Sequence, residues 1–393
     1  MSALMPTYRR APVTLVRGEG LRVFDSDGRA YLDFAGGIAV VPIGHAHPDW
    51  VAAVAAQAGR LVHVSNLWST EPQESLAERL TGLAGFGLAF LSNSGAEANE
   101  ALLKLVRLHG RANGGRTRVV ALEGSFHGRT FATLAATGQP AKHEPFAPLP
   151  QGYVHVPPND VAALAAAVDG ETAAVLVEPV LGEGGVLPLE DGYLSAARHL
   201  CDDRGALLAF DEVQTGIGRC GTWFAFQGTP VVPDVFSLAK GLANGLPIGA
   251  TIARAELAFG PGQHASTFGG GPVVCAAALA TLDVIEREGL LANAAAMGER
   301  LRAGLDGALA AAGLPGRTRG KGLLVGASVA PARAAGVVAG LLERGFLATE
   351  AGGEAVRATP PLTVDAASVD GFVEAFAGAA AEAAGEAKKG ASA

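Results

Sequence analysis

Cysteine is scarce in this chain. Cys201, Cys220 and Cys275 are its three cysteines, at no spacing typical of a metal site. An odd, scattered set does not build a disulfide scaffold and is expected to stay reduced, as in a cytoplasmic protein. Aromatic residues are also few, at 6%, and charged residues make up only 17%. Nowhere do about 18 apolar residues run uninterrupted, so a membrane-spanning helix is not expected. The opening "MSALMPTYRRAPVTLVRGEG" lacks an apolar stretch of secretory-signal length. Positive charge is not in excess either: the formal net charge is −8, and no basic cluster offsets it. A phosphate backbone needs a basic face, which argues against nucleic acid as a main partner. His45 and His47 of "GHAHP" have no further ligands nearby and read as a loop pair; no metal site is expected.

What the chain does have is alanine, glycine and length. At 393 residues, 49% of them hydrophobic, it is long for one core, and two or more domains are expected. Between about residues 85 and 280, short apolar runs alternate with helix-like stretches: "LAFLSN", "RVVAL", "TAAVLVEP", "ALLAFDEV" and "DVFSLAKG". That alternation predicts a mostly parallel sheet covered on both faces, an α/β fold. After about residue 285 a long helical stretch from Leu290 to about Ala312 precedes short strand candidates, "LLVGASV" and "AVRATPPL", with a helix between and another after. The expected division is an N-terminal segment (1–40) with a hairpin around Ser26-Asp27-Gly28, a large domain (41–285) and a smaller α+β domain (286–393). The low-complexity tail from about residue 381 is expected to fray.

The ends of the apolar runs hold the polar residues. "LAFL" leads into Ser92-Asn93-Ser94-Gly95, "VVAL" into Gly124-Ser125-Phe126-His127-Gly128, "AVLV" into Glu178-Pro179, "LLAF" into Asp211-Glu212 and "FSLA" into Lys240. In a parallel sheet these ends share the edge where open α/β proteins bind ligands. From Ser94 the spacing of Ala98, Ala101, Leu102, Leu105 and Val106 predicts an amphipathic helix. Its unpaired first-turn amides suit a phosphate. A capping box of Ser94 with Glu97 is the alternative, and the segment alone does not decide between them. "GIGRCG" (216–221) matches a dinucleotide-loop pattern, but neither a strand directly before it nor an amphipathic helix after it supports that reading, and no phosphate loop of the G-x-x-x-x-G-K-[ST] type is present.

Lys240 ends an apolar run with no carboxylate near it in sequence. A buried lysine is either ion-paired or a functional amine with a lowered pKa. With a carboxylate at Asp211, a phosphate-type helix start and an aromatic face at Phe126, the set is what pyridoxal phosphate needs.

The motifs "YLDFAGGIAVVPIGHAHP", "NSGAEANEALLK", "SFHGRT", "EPVLGEGGV", "LLAFDEVQTGIGR", "PDVFSLAKGL", "STFGG", "RGKGLLVG" and "VRATPPL" span nearly the whole chain. Together they resemble the class III pyridoxal-phosphate aminotransferases. The resemblance implies the fold type I architecture, with a mostly parallel, seven-stranded sheet. It implies Lys240 as the cofactor's covalent anchor and proton carrier, Asp211 on the pyridine nitrogen, and Gln214 near the phenolic oxygen. Phe126 and Val213 would cover the two ring faces, and Ser94 with the Gly95 and Ala96 amides would hold the phosphate. Thr267 would reach the phosphate from the second subunit of a homodimer. Arg129 would clamp a substrate carboxylate, with Ser266 also at the substrate. Glu183 would mask Arg357 while a donor reacts at its terminal amine, then release it for the α-carboxylate of 2-oxoglutarate. Within the family the likeness is strongest to enzymes acting on N2-acetylornithine in arginine biosynthesis. Ornithine, succinylornithine, succinyl-diaminopimelate, 4-aminobutyrate and carrier-linked lysine are rival donors, chosen among by loops such as Gly36–Val40 and Ser65–Trp68. Two residues depart from the usual pattern: Gly271 stands where asparagine is common, and Cys220 where threonine is.

Overall fold

The computed structural model describes residues 3–330 and 332–391. Its centre is a seven-stranded sheet in the spatial order Leu88–Ser92, Gly249–Ala253, Val235–Leu238, Leu207–Asp211, Thr172–Val177, Arg118–Leu122, Tyr153–Val156. Gly249–Ala253 runs antiparallel to both neighbours, and the other six strands are parallel to one another. Five of these strands coincide with the apolar runs read from sequence. The other two were not anticipated. "GATIA" carries glycine and threonine yet is buried throughout, and "YVHV" is a half-exposed edge strand.

Alternation along the central strands explains why the runs look continuously apolar. Ala174, Leu176, Leu207 and Ala209 pack with Leu102, Leu105 and Val106 of the helix Gly95–Ala112. Val175, Val177, Leu208 and Phe210 belong instead to the core that includes Leu194, Ala197 and Cys201 of the helix Asp191–Arg204. Both faces are covered, so no position in Thr172–Val177 can be polar without a partner.

The helix Pro272–Arg287 packs on Pro48–Ala58 and Glu71–Ala84, and the chain then passes into Leu290–Ala311. A second, antiparallel sheet follows, in the order Thr318–Lys321, Leu324–Ser328, Ala355–Ala358, Thr349–Ala351. The helices Leu290–Ala311 and Ala334–Glu343 both pack against Ala366–Ala391. The N-terminal strands Leu15–Glu19, Arg22–Asp25 and Ala30–Asp33 join this half, because Phe346–Leu347 pairs in parallel with Ala30–Asp33. Phe34 stacks on Phe372 with ring centroids 4.2 Å apart. The last helix runs to Ala391, and its Ala380, Ala383 and Ala384 are buried in the core. Ser392 and Ala393 lie outside the described residues. Among the described residues no helix is long and apolar enough to cross a membrane.

The glycine-rich segment Gly216–Gly221 is a turn, not a nucleotide loop. Its Arg219 is buried and donates to the carbonyls of Leu323 (3.0 Å) and Pro360 (2.6 Å), tying the large sheet's edge to the C-terminal half. Burial pushes the guanidinium down to about 10.

Candidate active site

The ends of the parallel strands open into a cavity of about 410 Å³. Its wall includes the start of the Gly95 helix, Phe126, Glu183, Asp211, Val213 and Lys240. Lys240 follows the strand Val235–Leu238 with φ +35°, a left-handed conformation that costs a non-glycine residue about 1–3 kcal/mol. Its amine lines the cavity and, among the described residues, forms no hydrogen bond or ion pair. Desolvation, reinforced by the charge of Arg357, pushes it down to about 8; the carboxylates of Glu183, Asp211 and Glu178 oppose this.

Asp211 is the opposite case, a buried carboxylate with many donors. One oxygen accepts from the Val213 amide (2.9 Å); the other accepts from Asn99 Nδ2 (2.7 Å) and lies 2.8 Å from His127 Nδ1. Asn99 in turn accepts from Ser237 Oγ (2.6 Å) and donates to the His127 carbonyl (2.8 Å). A carboxylate held by this many donors is fixed in its orientation toward the cavity.

At the helix start only half of the capping box forms. Ser94 Oγ accepts from the Glu97 amide at 3.2 Å, one half of a capping box. Glu97 does fold back, but onto the amide of Asn93 (2.6 Å) and Asn93 Nδ2 (2.8 Å), one residue before the cap. The Gly95 and Ala96 amides keep no protein acceptor among the described residues and line the cavity at the positive end of an 18-residue helix. Glycine is needed on both sides of this approach. A Cβ on Gly95 would lie 2.8 Å from Val213 Cγ1, and one on Gly249 only 2.3 Å from the Ser94 carbonyl. Gly249→Ala is therefore expected to lower stability by about 1–3 kcal/mol, read as a lower urea midpoint, and to weaken binding of inorganic phosphate at the displaced helix start.

Glu183 and Arg357, far apart in sequence, meet. Arg357 is buried, and its Nη1 contacts Glu183 Oε1 (2.5 Å), the Gly182 carbonyl and Gln214 Oε1 (both 3.2 Å). The Arg357 charge, together with the hydrogen bond, holds the Glu183 carboxyl below the usual carboxylate range against its burial. Arg129 is exposed at the cavity wall, its guanidinium 5.5 Å from the Phe126 ring centroid, with no carboxylate partner among the described residues.

Ser266 and Thr267 stand apart from this cavity. Ser266 Oγ lies 3.3 Å from Asn93 Nδ2, and Thr267 is exposed on a surface loop beside Phe268. Gly271 caps the helix Pro272–Arg287 at φ −58°, a conformation open to any residue, so its departure from asparagine needs no altered backbone. His45 and His47 contact Asp33 and Glu288, and among the described residues no group of three or more His, Cys, Asp or Glu is placed for a metal ion.

Three side chains were given no role from sequence. Asn99 could have been noticed as a polar residue among the apolar positions of its helix. His127 lay within a quoted motif, but only the fold brings it to Asp211. Glu178 shows in sequence only as the end of an apolar run. Its carboxylate accepts from the amides of Phe126 (2.9 Å) and Gly182 (3.2 Å), tying together the two loops that carry Phe126 and Glu183, and burial pushes it up to about 7.

An unpartnered amine, a fixed carboxylate, free helix amides and the paired walls Phe126 and Val213 fit pyridoxal phosphate. The comparisons agree. The family model for class III aminotransferases matches residues 4–380. A curated acetylornithine aminotransferase of Mycobacterium tuberculosis is 49% identical over 383 residues, covering 95% of this chain and 93% of that one. Its counterpart in Streptomyces coelicolor is 50% identical, covering 96% and 92%. Among solved structures, the ornithine aminotransferase of Toxoplasma gondii superposes with a TM-score of 0.92 at 31% identity, covering 98% and 94%. The N-acetylornithine aminotransferase of Stenotrophomonas maltophilia does so with 0.83 at 36%, covering 95% and 97%. The chain belongs to the class III aminotransferases, pyridoxal-phosphate-dependent transaminases of fold type I.

Proposed function

We propose that this chain transfers the δ-amino group of N2-acetylornithine to 2-oxoglutarate, giving N-acetylglutamate 5-semialdehyde and glutamate; in arginine biosynthesis the flux runs in the opposite direction. The observation that carries this is the ion pair between half-buried Glu183 and buried Arg357. While it holds, Arg129 is the guanidinium left at the cavity to receive a donor's carboxylate, which turns the far amine toward Lys240. The names of the curated relatives support the acetylated donor.

Pyridoxal phosphate, when bound, supplies the carbonyl that receives the amino group and a ring that accepts an electron pair. The chain supplies the rest. Lys240 Nζ would hold the cofactor and, once displaced by the donor amine, would carry a proton from the donor's amine-bearing carbon to the cofactor. Asp211 would face the ring nitrogen and favour its protonated form, and Gln214 would lie by the ring oxygen. Ser94 and the Gly95 and Ala96 amides would take the phosphate, and Phe126 and Val213 would confine the ring. When Glu183 releases Arg357, two guanidiniums match the two carboxylates of 2-oxoglutarate, each able to bind one bidentately. We further infer a cytoplasmic homodimer in which Thr267 of one protomer serves the other's phosphate site and Ser266 lies near its substrate. The division 1–40, 41–285 and 286–393 is supported by the separate sheets.

A half-reaction screen tests the donor. Acetylornithine should react at least about tenfold faster than ornithine or 4-aminobutyrate, and a preference for either of those would sink the assignment. Glu183→Gln should erode the exclusion of α-amines by about tenfold, the scale of one partly buried ion pair. Unchanged discrimination would remove the masking role.

A further inference from the structure

Releasing Arg357 leaves Glu183 with a problem. Its carboxylate is only partly exposed, and in that setting an unpaired charge is costly. With Lys240 committed to the cofactor, Lys142 is the remaining lysine whose charge acts on Glu183. Lys142 lies on the short helix Pro140–His143, its ammonium 5.8 Å from the Phe126 ring centroid that Arg129 also approaches. Gln139 fixes this helix: its Nε2 donates to the carbonyls of Gly124 (3.4 Å) and Ser125 (3.0 Å), while its Oε1 accepts from Lys142 Nζ. Across from Gly124 lies the Glu183 loop, where a Cβ on Gly184 would come within 3.0 Å of the Gly124 carbonyl. Glu178 clamps the same two loops from beneath.

We propose that Lys142 is the alternate counter-ion of Glu183, receiving its carboxylate when a dicarboxylate takes Arg357. The inference rests on the masking role of Glu183. Electrostatics run the same way: the Glu183 charge supports the Lys142 ammonium against burial and the repulsion of Arg129, and Lys142 in turn stabilises the Glu183 carboxylate. A neutral Gln139 oxygen is an exchangeable partner for the ammonium. Lys142 thus acts through Glu183 and is a positioning residue: it lowers the cost of opening the arginine.

The test is binding of glutarate, an unreactive dicarboxylate of the acceptor's length, to the holoenzyme by calorimetry. Lys142→Met should weaken glutarate about tenfold, and Lys142→Arg should restore it. Glu183→Gln, which frees Arg357 outright, should tighten glutarate by several-fold. In the Glu183→Gln background Lys142→Met should then make no difference, because there is no charge left to receive. Equal weakening in both backgrounds would mean that Lys142 binds the dicarboxylate itself, and no weakening in either would mean that it does nothing here. Both results overturn the proposal while leaving the masking role intact. If Glu183→Gln alone leaves glutarate binding unchanged, the masking role and this inference fail together.

Discussion

Lys240→Ala is expected to lower turnover by about a thousandfold or more. Positioned proton transfer alone is worth about 10²- to 10⁴-fold, and this substitution also removes the covalent anchor. The structure makes the amine suitable for both tasks. It lines the cavity without a partner among the described residues, and desolvation pushes it down to about 8 from the ordinary lysine range. The direction follows from the cause: desolvation and Arg357 disfavour the charged form, so the amine loses its proton at a lower pH. Capture of pyridoxal phosphate by the cofactor-free protein should therefore accelerate as pH rises through about 8 and then level off. Stopped-flow absorbance reads this directly. A Lys240→Ala protein that bound cofactor with the same pH profile and turned over at the wild-type rate would remove Lys240 from the mechanism.

Asp211→Asn should lower turnover about a hundredfold with the fold kept. The two side chains have nearly the same shape, so the loss is chiefly of charge. An opposite charge a few ångströms away shifts a protonation equilibrium by about ten- to a thousandfold, and a ring nitrogen without its proton is a poorer electron acceptor. There is a packing cost as well. The carboxylate accepts from Val213 N and Asn99 Nδ2 and pairs with His127 Nδ1, and an amide cannot accept at both ends. A structural role and an electrostatic one therefore give different results. Loss of packing would lower the urea midpoint and leave the pH dependence of the bound cofactor's absorbance alone. Loss of charge would move that pH dependence.

Lys240 and Asp211 were legible because each ends a buried strand, where a polar side chain is conspicuous against an apolar run. Helix register also placed the Ser94 start correctly, yet it could not say where Glu97 would point. That depended on whether the carboxylate returned to the cap amide or to Asn93. Contacts between distant loops had no local signal. Glu178 reaches Phe126 across 52 positions and Arg357 reaches Glu183 across 174, the latter accessible only through the resemblance. The strand Gly249–Ala253 escaped notice because glycine, needed where Ser94 passes, breaks the apolar pattern. In the tail the reverse holds: low complexity hides Ala380, Ala383 and Ala384, which pack in the core.

One amine at the cavity wall, that of Lys240, is expected to anchor the cofactor. Borohydride reduction of the loaded protein, followed by peptide mapping, tests it most directly. The expected product is a single pyridoxyl group on Lys240, with Lys142, the other lysine near the ring wall, unlabelled. A label on Lys142, or none on Lys240, would contradict it.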